Sequence, residues 1–303
     1  MEGRRHSCLS VSIRGCSSRG LWRLASLVAV AWFGVGPADA GDFRVEENIA
    51  YLRDGRAERA DLYLPADAGA ALRPAVVDIH GGGWRGGDKG DPREVNICTN
   101  LAANGYVAMS INYMLQTKDG PAAWPQNLHD CKTAVRWLRA NAGRLRVDPG
   151  TVGVIGGSAG GHLAAMVGVT GPESGLDPDG PYGDQPCGVQ AVVDLYGPIL
   201  WMETRDLAML GKRRAEAPEL YRSASPLAHL GAGDPPILIV HGTADKTVDV
   251  EQSRVFAAAL AKAGIEHQLV IVEGAPHTFH LQPKEMDLRP VVIGFFDRRL
   301  KRK

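Results

Sequence analysis

Six short, almost uninterrupted apolar runs alternate with amphipathic stretches along most of this chain, and that alternation decides its architecture. The runs cover residues 74–80, 106–113, 152–156, 189–196, 236–241 and 268–272. They are rich in Val and Ile at successive positions, as strands are when a parallel sheet is covered on both faces; a sheet with one wet face would alternate apolar and polar residues instead. Helical periodicity fills the intervals at about 94–104, 127–142, 162–169, 251–263 and from 290 to the end. This order predicts an α/β fold, with a doubly wound, mostly parallel sheet flanked by helices. Ahead of it, residues 43–65 read as an N-terminal antiparallel hairpin with Asp54-Gly55 as its turn. Between Gly197 and Pro235 the rhythm breaks. Helical pieces near 200–210 and 218–230 predict a small helical insertion there, a cap or side layer over 197–235.

The first forty residues stand apart from this pattern. Arg4, Arg5, Arg14, Arg19 and Arg23 lead into an apolar run from Leu24 to Val35 that is too short to span a bilayer, and Ala38-Asp39-Ala40 is a small-residue cleavage pattern. Residues 1–40 are therefore expected to be a signal peptide cut before Gly41, with an uncleaved N-terminal anchor as the alternative. Residues 41–303 are expected to form one domain in a secreted or periplasmic protein with no stable membrane span after cleavage. The chain has 34 basic and 34 acidic residues, a formal net charge of zero. Removing the leader tips that balance slightly to the acidic side, which excludes a nucleic-acid footprint. Of five cysteines, Cys98, Cys131 and Cys187 follow the leader. An odd number rules out a disulfide scaffold but leaves room for one bridge, and Cys131 reads as a core residue within helical periodicity.

Chemistry enters at Gly156-Gly157-Ser158-Ala159-Gly160, where a serine sits between an apolar strand and a helix. A serine hydroxyl is a poor nucleophile until it is held exposed beside a base and an oxyanion site, and a sharp strand-to-helix turn provides that exposure. With 37 glycines in the chain the motif alone carries little weight, so its neighbours decide. His80-Gly81-Gly82-Gly83-Trp84 follows a strand, and consecutive glycines leave backbone N–H groups open to a developing oxyanion. A phosphate-cradling loop is the competing reading, and it fails because no Gly-Lys-Ser/Thr follows. Asp245 lies just past the strand at 236–241, where open α/β sheets place their sites. Asp249 is the alternative acid, though its position suits a cap for the helix at 251–263. His277 and His280 follow the strand at 268–272; His277 is nearer the strand end and is the preferred base, with His280 the alternative. A zinc reading of these two histidines has no third ligand at convincing spacing. The acidic loop from Asp177 to Asp184 lacks EF-hand ligand spacing and reads as a solvated turn. No metal and no cofactor is therefore expected.

The order Ser158, Asp245, His277 is that of α/β-hydrolases. Together with Asp61-Leu62-Tyr63-Leu64-Pro65, His80 to Trp84, the stretch from Asp130 to Arg139, Gly156 to His162, His241 to Asp245 and His277-Thr278-Phe279, it makes the chain resemble α/β-hydrolase-fold serine esterases with an HGGGW motif. The similar branches are the hormone-sensitive-lipase-like and the acetyl- and feruloyl-esterase-like ones. The resemblance implies Ser158 as nucleophile, His277 as general base and acid, and Asp245 as its orienter. The N–H groups of Gly82, Gly83 and Ala159 would form the oxyanion hole. It also implies a small-molecule or polysaccharide ester as substrate. The chain departs from the family pattern in its short 197–235 segment, with no large N-terminal cap, so an open site and a preference for short acyl groups are expected. A peptidase of prolyl-oligopeptidase type, or an amidase such as an arylformamidase, would share the site; the first is expected to carry a propeller that these 303 residues lack. A non-catalytic hydrolase-fold binding protein is the alternative from another class.

Overall fold

The computed structural model describes residues 43–66 and 71–301. The expected leader lies outside the described residues. Eight strands form one sheet: β1 (Phe43–Ile49), β2 (Ala60–Pro65), β3 (Arg73–Ile79), β4 (Val107–Ile111), β5 (Val147–Gly157), β6 (Ala191–Leu195), β7 (Ile237–Gly242) and β8 (His267–Val272). Their spatial order is β1-β2-β4-β3-β5-β6-β7-β8. β2 pairs antiparallel with β1 and with β4, and every pair from β4 to β8 is parallel. The helices are α1 (Pro92–Ala103), α2 (Gln126–Ala140), α3 (Ala142–Leu145), α4 (Ala159–Val169), α5 (Trp201–Thr204), α6 (Pro218–Ser223), α7 (Glu251–Ala263) and α8 (Arg289–Leu300).

Successive strand residues feed two separate cores, which is why the runs are apolar throughout. Val77, Val154, Val192 and Ile239 pack on one face with Leu128 and Val135 of α2, Leu163 of α4 and Phe256 of α7. Val76, Ile155, Val193 and Leu238 pack on the other with Ile97 and Leu101 of α1 and Val292 and Phe296 of α8. Each face buries side chains that would contribute roughly 1.5–3 kcal/mol apiece.

The N-terminal pair differs from a tight hairpin. Ile49 pairs with Ala60, so ten intervening residues form a long connection, and Asp54-Gly55 is one turn within it. The connection is pinned from outside: Arg56 donates two hydrogen bonds, of 3.0 and 2.6 Å, to the buried Asp130 carboxylate on α2. The 197–235 insertion is broken into α5, α6 and single 3-10 turns at Ala208–Leu210 and Pro226–Ala228. Pro218, Pro226 and Gly211 interrupt it too often for longer helices.

Candidate active site

A crevice opens where the strand order reverses. The chain runs from β3 out to β4 and then back to β5 on the other side of β3, so the loops leaving β3 and β5 diverge at the sheet's C-terminal edge. One of these loops is His80 to Trp84 and the other holds Ser158.

Ser158 joins β5 to α4 with φ +56° and ψ −120°. That backbone region is sparsely populated for a residue with a side chain and costs on the order of 1–3 kcal/mol. Packing holds it there. The Ser158 N–H donates to the Leu195 carbonyl at 2.8 Å, and its own carbonyl accepts from His162 N at 3.1 Å. The flanking glycines are required by contact with β3 and within the turn: a Cβ on Gly160 would overlap the Ile79 carbonyl oxygen, and one on Gly156 would overlap the Gly160 carbonyl.

His277 reaches Ser158 from the loop after β8. The serine hydroxyl donates to Nε2 at 3.0 Å, and Nδ1–H donates to Asp245 Oδ2 at 2.6 Å. Beneath the imidazole lies the buried ring of Tyr196, edge-on with centroids 4.9 Å apart. The Tyr196 hydroxyl donates to the Phe279 carbonyl at 2.7 Å and so anchors the histidine loop.

Asp245 is gripped from four directions. Besides His277, its carboxylate accepts from the backbone N–H groups of Thr247 (2.8 Å) and Val248 (2.9 Å) and from His241 Nε2 at 3.1 Å. Burial alone would push this carboxyl up. The hydrogen bonds from His241, His277, Val248 and Thr247 outweigh it and hold Asp245 well below the usual carboxylate range. His241 Nε2 also faces the Val248 carbonyl at 2.9 Å, and two acceptors on one ring nitrogen place the proton there. Its Nδ1 meets the Ser253 hydroxyl on α7 at 2.7 Å. A continuous chain therefore runs Ser158–His277–Asp245–His241–Ser253. Sequence order alone leaves out the last two members: His241 opens the stretch His241 to Asp245 without completing the Ser–Asp–His order, and Ser253 lies unmarked within the helical stretch at 251–263.

The alternative residues stand elsewhere. Asp249 Oδ1 accepts from Glu251 N at 2.9 Å and caps the start of α7. His280 Nδ1 accepts from Gln282 N, also at 2.9 Å.

The glycine loop runs beside the serine, since a Cβ built on Gly81 would lie 3.3 Å from Ser158 Cβ. Gly82 and Gly83 have φ of +106° and +62°, and both are exposed. The Gly82 carbonyl accepts from Arg85 N and Gly86 N, both at 3.1 Å, which closes the turn. The Tyr113 hydroxyl donates to the His80 carbonyl at 2.9 Å and fixes the loop's start. Ala159 is the first residue of α4, so the amides of Gly82, Gly83 and Ala159 belong to the two loops that bound the crevice. His162 is buried; its Nε2–H donates to the Ala224 carbonyl at 2.8 Å, and burial pushes the imidazole down to about 4. It is a neutral strut between α4 and the insertion. Cys98, Cys131 and Cys187 are free, buried thiols, so the bridge allowed by sequence does not form among them. Asp177 pairs with the buried Lys132 at 2.6 Å. No described helix is long and apolar enough to cross a membrane.

A doubly wound sheet with Ser, Asp and His on the loops after β5, β7 and β8, joined by hydrogen bonds, defines an α/β-hydrolase fold with a serine–histidine–aspartate site. Within that class the chain belongs to the BD-FAE family, which matches residues 60–260. It is similar to esterase LipC of Mycobacterium tuberculosis, 31% identical over 75% of this chain and 58% of LipC. The chain spans between 53% and 58% of the length of the three mycobacterial relatives of this kind. Among solved structures it resembles a truncated carbohydrate esterase from gut microbiota (TM-score 0.77, 26% identity, 88% of this chain and 100% of that one). It also resembles a thermophilic esterase of Thermogutta terrifontis (TM-score 0.69, 31% identity, 86% and 93%). The latter is known phosphorylated by paraoxon and with propionate or butyrate bound.

Proposed function

We propose that this protein is an exported serine carboxylic-ester hydrolase that cleaves short acyl esters, polysaccharide-borne ones among them, through an acyl-enzyme. The reading rests above all on the hydrogen-bonded chain Asp245–His277–Ser158, with links of 2.6 and 3.0 Å, ending on a serine in a strained turn. Ser158 Oγ attacks the ester carbonyl carbon while His277 Nε2 takes its proton. The carbonyl oxygen becomes an oxyanion received by the N–H groups of Gly82, Gly83 and Ala159. The intermediate collapses: the bond to the alcohol oxygen breaks, His277 returns the proton to that oxygen, and the acyl group stays on Ser158. Water then enters, gives its proton to His277, and the reverse sequence releases the carboxylic acid. Asp245 keeps the imidazole in the tautomer with Nδ1–H and stabilises its cation.

The similarity to esterases, one of them phosphorylated by paraoxon and bound to propionate and butyrate, supports both the serine chemistry and the short acyl preference. The test is a fluorophosphonate label followed by turnover of p-nitrophenyl esters. We expect one label per chain on Ser158, fastest turnover on acetyl to butyryl esters, and a loss on the order of 10⁶ in kcat for Ser158→Ala. A wild-type chain that takes no label, or a Ser158→Ala chain that keeps several per cent of its activity, would remove the reading.

A further inference from the structure

A charged groove begins where the glycine loop ends. A cavity of about 320 Å³ lies against Gly82, Gly83 and Arg85 and is walled by Trp84, Trp201 and Met209. Arg85, Leu207 and Ala208 also line a second, wider groove of about 820 Å³, so the two form one path outward from the glycine loop. The wide groove carries Arg85, Lys118, Lys212 and Arg213 against Asp206 and Glu216.

The cations outnumber the acids four to two, and the acids are held by backbone N–H groups rather than by these cations. Asp206 already accepts from Arg214 N at 2.8 Å, and Glu216 accepts from Arg213 N at 3.2 Å. None of the four cationic side chains makes an ion pair or hydrogen bond among the described residues, and all four are exposed. A fifth cation, Arg205, stacks 4.2 Å from the centroid of the ring of Trp201, a wall of the smaller cavity. This cationic groove stands out in a chain whose overall formal charge is zero. Cations spread over three separate loops suit an extended anion with several charges better than one compact anion.

We propose that the groove binds carboxylates on the carrier of the ester, so that the substrate is an acylated acidic oligosaccharide or polysaccharide whose uronic-acid residues lie along Arg85, Lys118, Lys212 and Arg213. The inference rests on the serine-esterase reading and adds the chemical class of the carrier. A carbohydrate is favoured because the chain resembles a carbohydrate esterase across that protein's whole length. The groove is also large enough for more than one sugar unit.

The test compares an acetylated xylo-oligosaccharide bearing glucuronic acid with the same oligosaccharide after its carboxyl groups are reduced to alcohols. At low ionic strength the acidic substrate should have the larger kcat/KM, mostly through KM, and added salt should shrink the ratio. Exposed charge pairs each contribute a fewfold, so Lys118→Gln, Lys212→Gln and Arg213→Gln combined should lower that ratio about tenfold. Calorimetric binding of the deacetylated acidic oligosaccharide to the Ser158→Ala chain gives a readout independent of turnover, and the same three substitutions should weaken it. Single variants replace the triple one if its melting temperature falls. Equal kcat/KM on both substrates at every salt concentration, or a ratio untouched by the substitutions, overturns the inference and leaves the esterase reading standing if p-nitrophenyl acetate is still cleaved. If wild-type protein cleaves neither ester type, both readings fall.

Discussion

Asp245 Oδ2 is shared by two imidazoles, and this sharing ranks the residues around it. Asp245→Asn removes the charge that supports the His277 cation and can leave the wrong tautomer, a change expected to lower kcat by roughly 10⁴. Asp249→Asn should leave kcat near wild type and cost at most about 1 kcal/mol of stability, because its carboxylate serves only the start of α7. His241→Ala takes one donor from the Asp245 carboxylate. The remaining negative charge then falls more fully on His277, so the acid limb of the kcat/KM profile should move to higher pH while kcat falls about tenfold, the worth of one charge-assisted hydrogen bond. A pH profile that overlays wild type would show that His241 only packs. Chain order makes Ser158, Asp245 and His277 legible without a structure. His241 is not legible, because its partners lie four and twelve residues on, along a strand end and a helix start where no periodicity links them.

The strand–serine–helix turn behaves as a single unit. Gly160→Ala would drive a methyl into the Ile79 carbonyl, a backbone atom of β3 that cannot move without disturbing the β3–β5 ladder. A urea titration should show a loss of about 3 kcal/mol or more, beyond ordinary overpacking. Gly143→Ala is the control: nothing lies within 4 Å of the added methyl on α3, and stability should rise by about 0.5–1 kcal/mol. A tolerated Gly160→Ala would mean that the contact with β3 does not set the turn. Sequence periodicity starts α4 at His162, yet the helix begins at Ala159. Gly160 and Gly161 are poor helix formers, and only their fit against Ile79 and Asp194 makes them helical. β5 is longer than its apolar run for a similar reason. Val147 pairs with Arg73 before a register shift, so Asp148-Pro149-Gly150, which precede the apolar run at 152–156, lie within the strand's span. Local pattern shows where the elements are, and tertiary contact sets where they start.

For the whole molecule, acidity acts through the fully buried Asp194, which accepts one hydrogen bond, from Gly197 N at 2.8 Å. Burial pushes its carboxyl up from 3.8 to about 6, against the pull of His241 and the Gly197 N–H. The folded chain thus keeps a proton that the unfolded chain releases. Stability should therefore fall as pH rises from about 4 to about 6, by roughly 3 kcal/mol, and level off above. Asp194→Asn keeps the acceptor for Gly197 and removes that cost. Its melting temperature should exceed wild type at pH 7 and match it near pH 4; an equal gain at both would assign the effect to packing. Asp245 works in the opposite sense, since its carboxylate is favoured by the fold and its contribution is lost in strong acid. The outer rim of the sheet bears on how copies of the chain meet. Among the described residues, β1 leaves one side of its backbone unpaired, with Phe43 and Val45 exposed. A bare rim of that kind invites a second molecule to dock its own strand alongside. Here the same strand carries Arg44, Glu46 and Glu47, and Glu46 is tied to Arg44 at 2.6 Å and to Arg144 at 2.9 Å. An incoming strand would have to strip water from those charges, so the rim that closes the fold also protects it against fibril-like stacking at high local concentration.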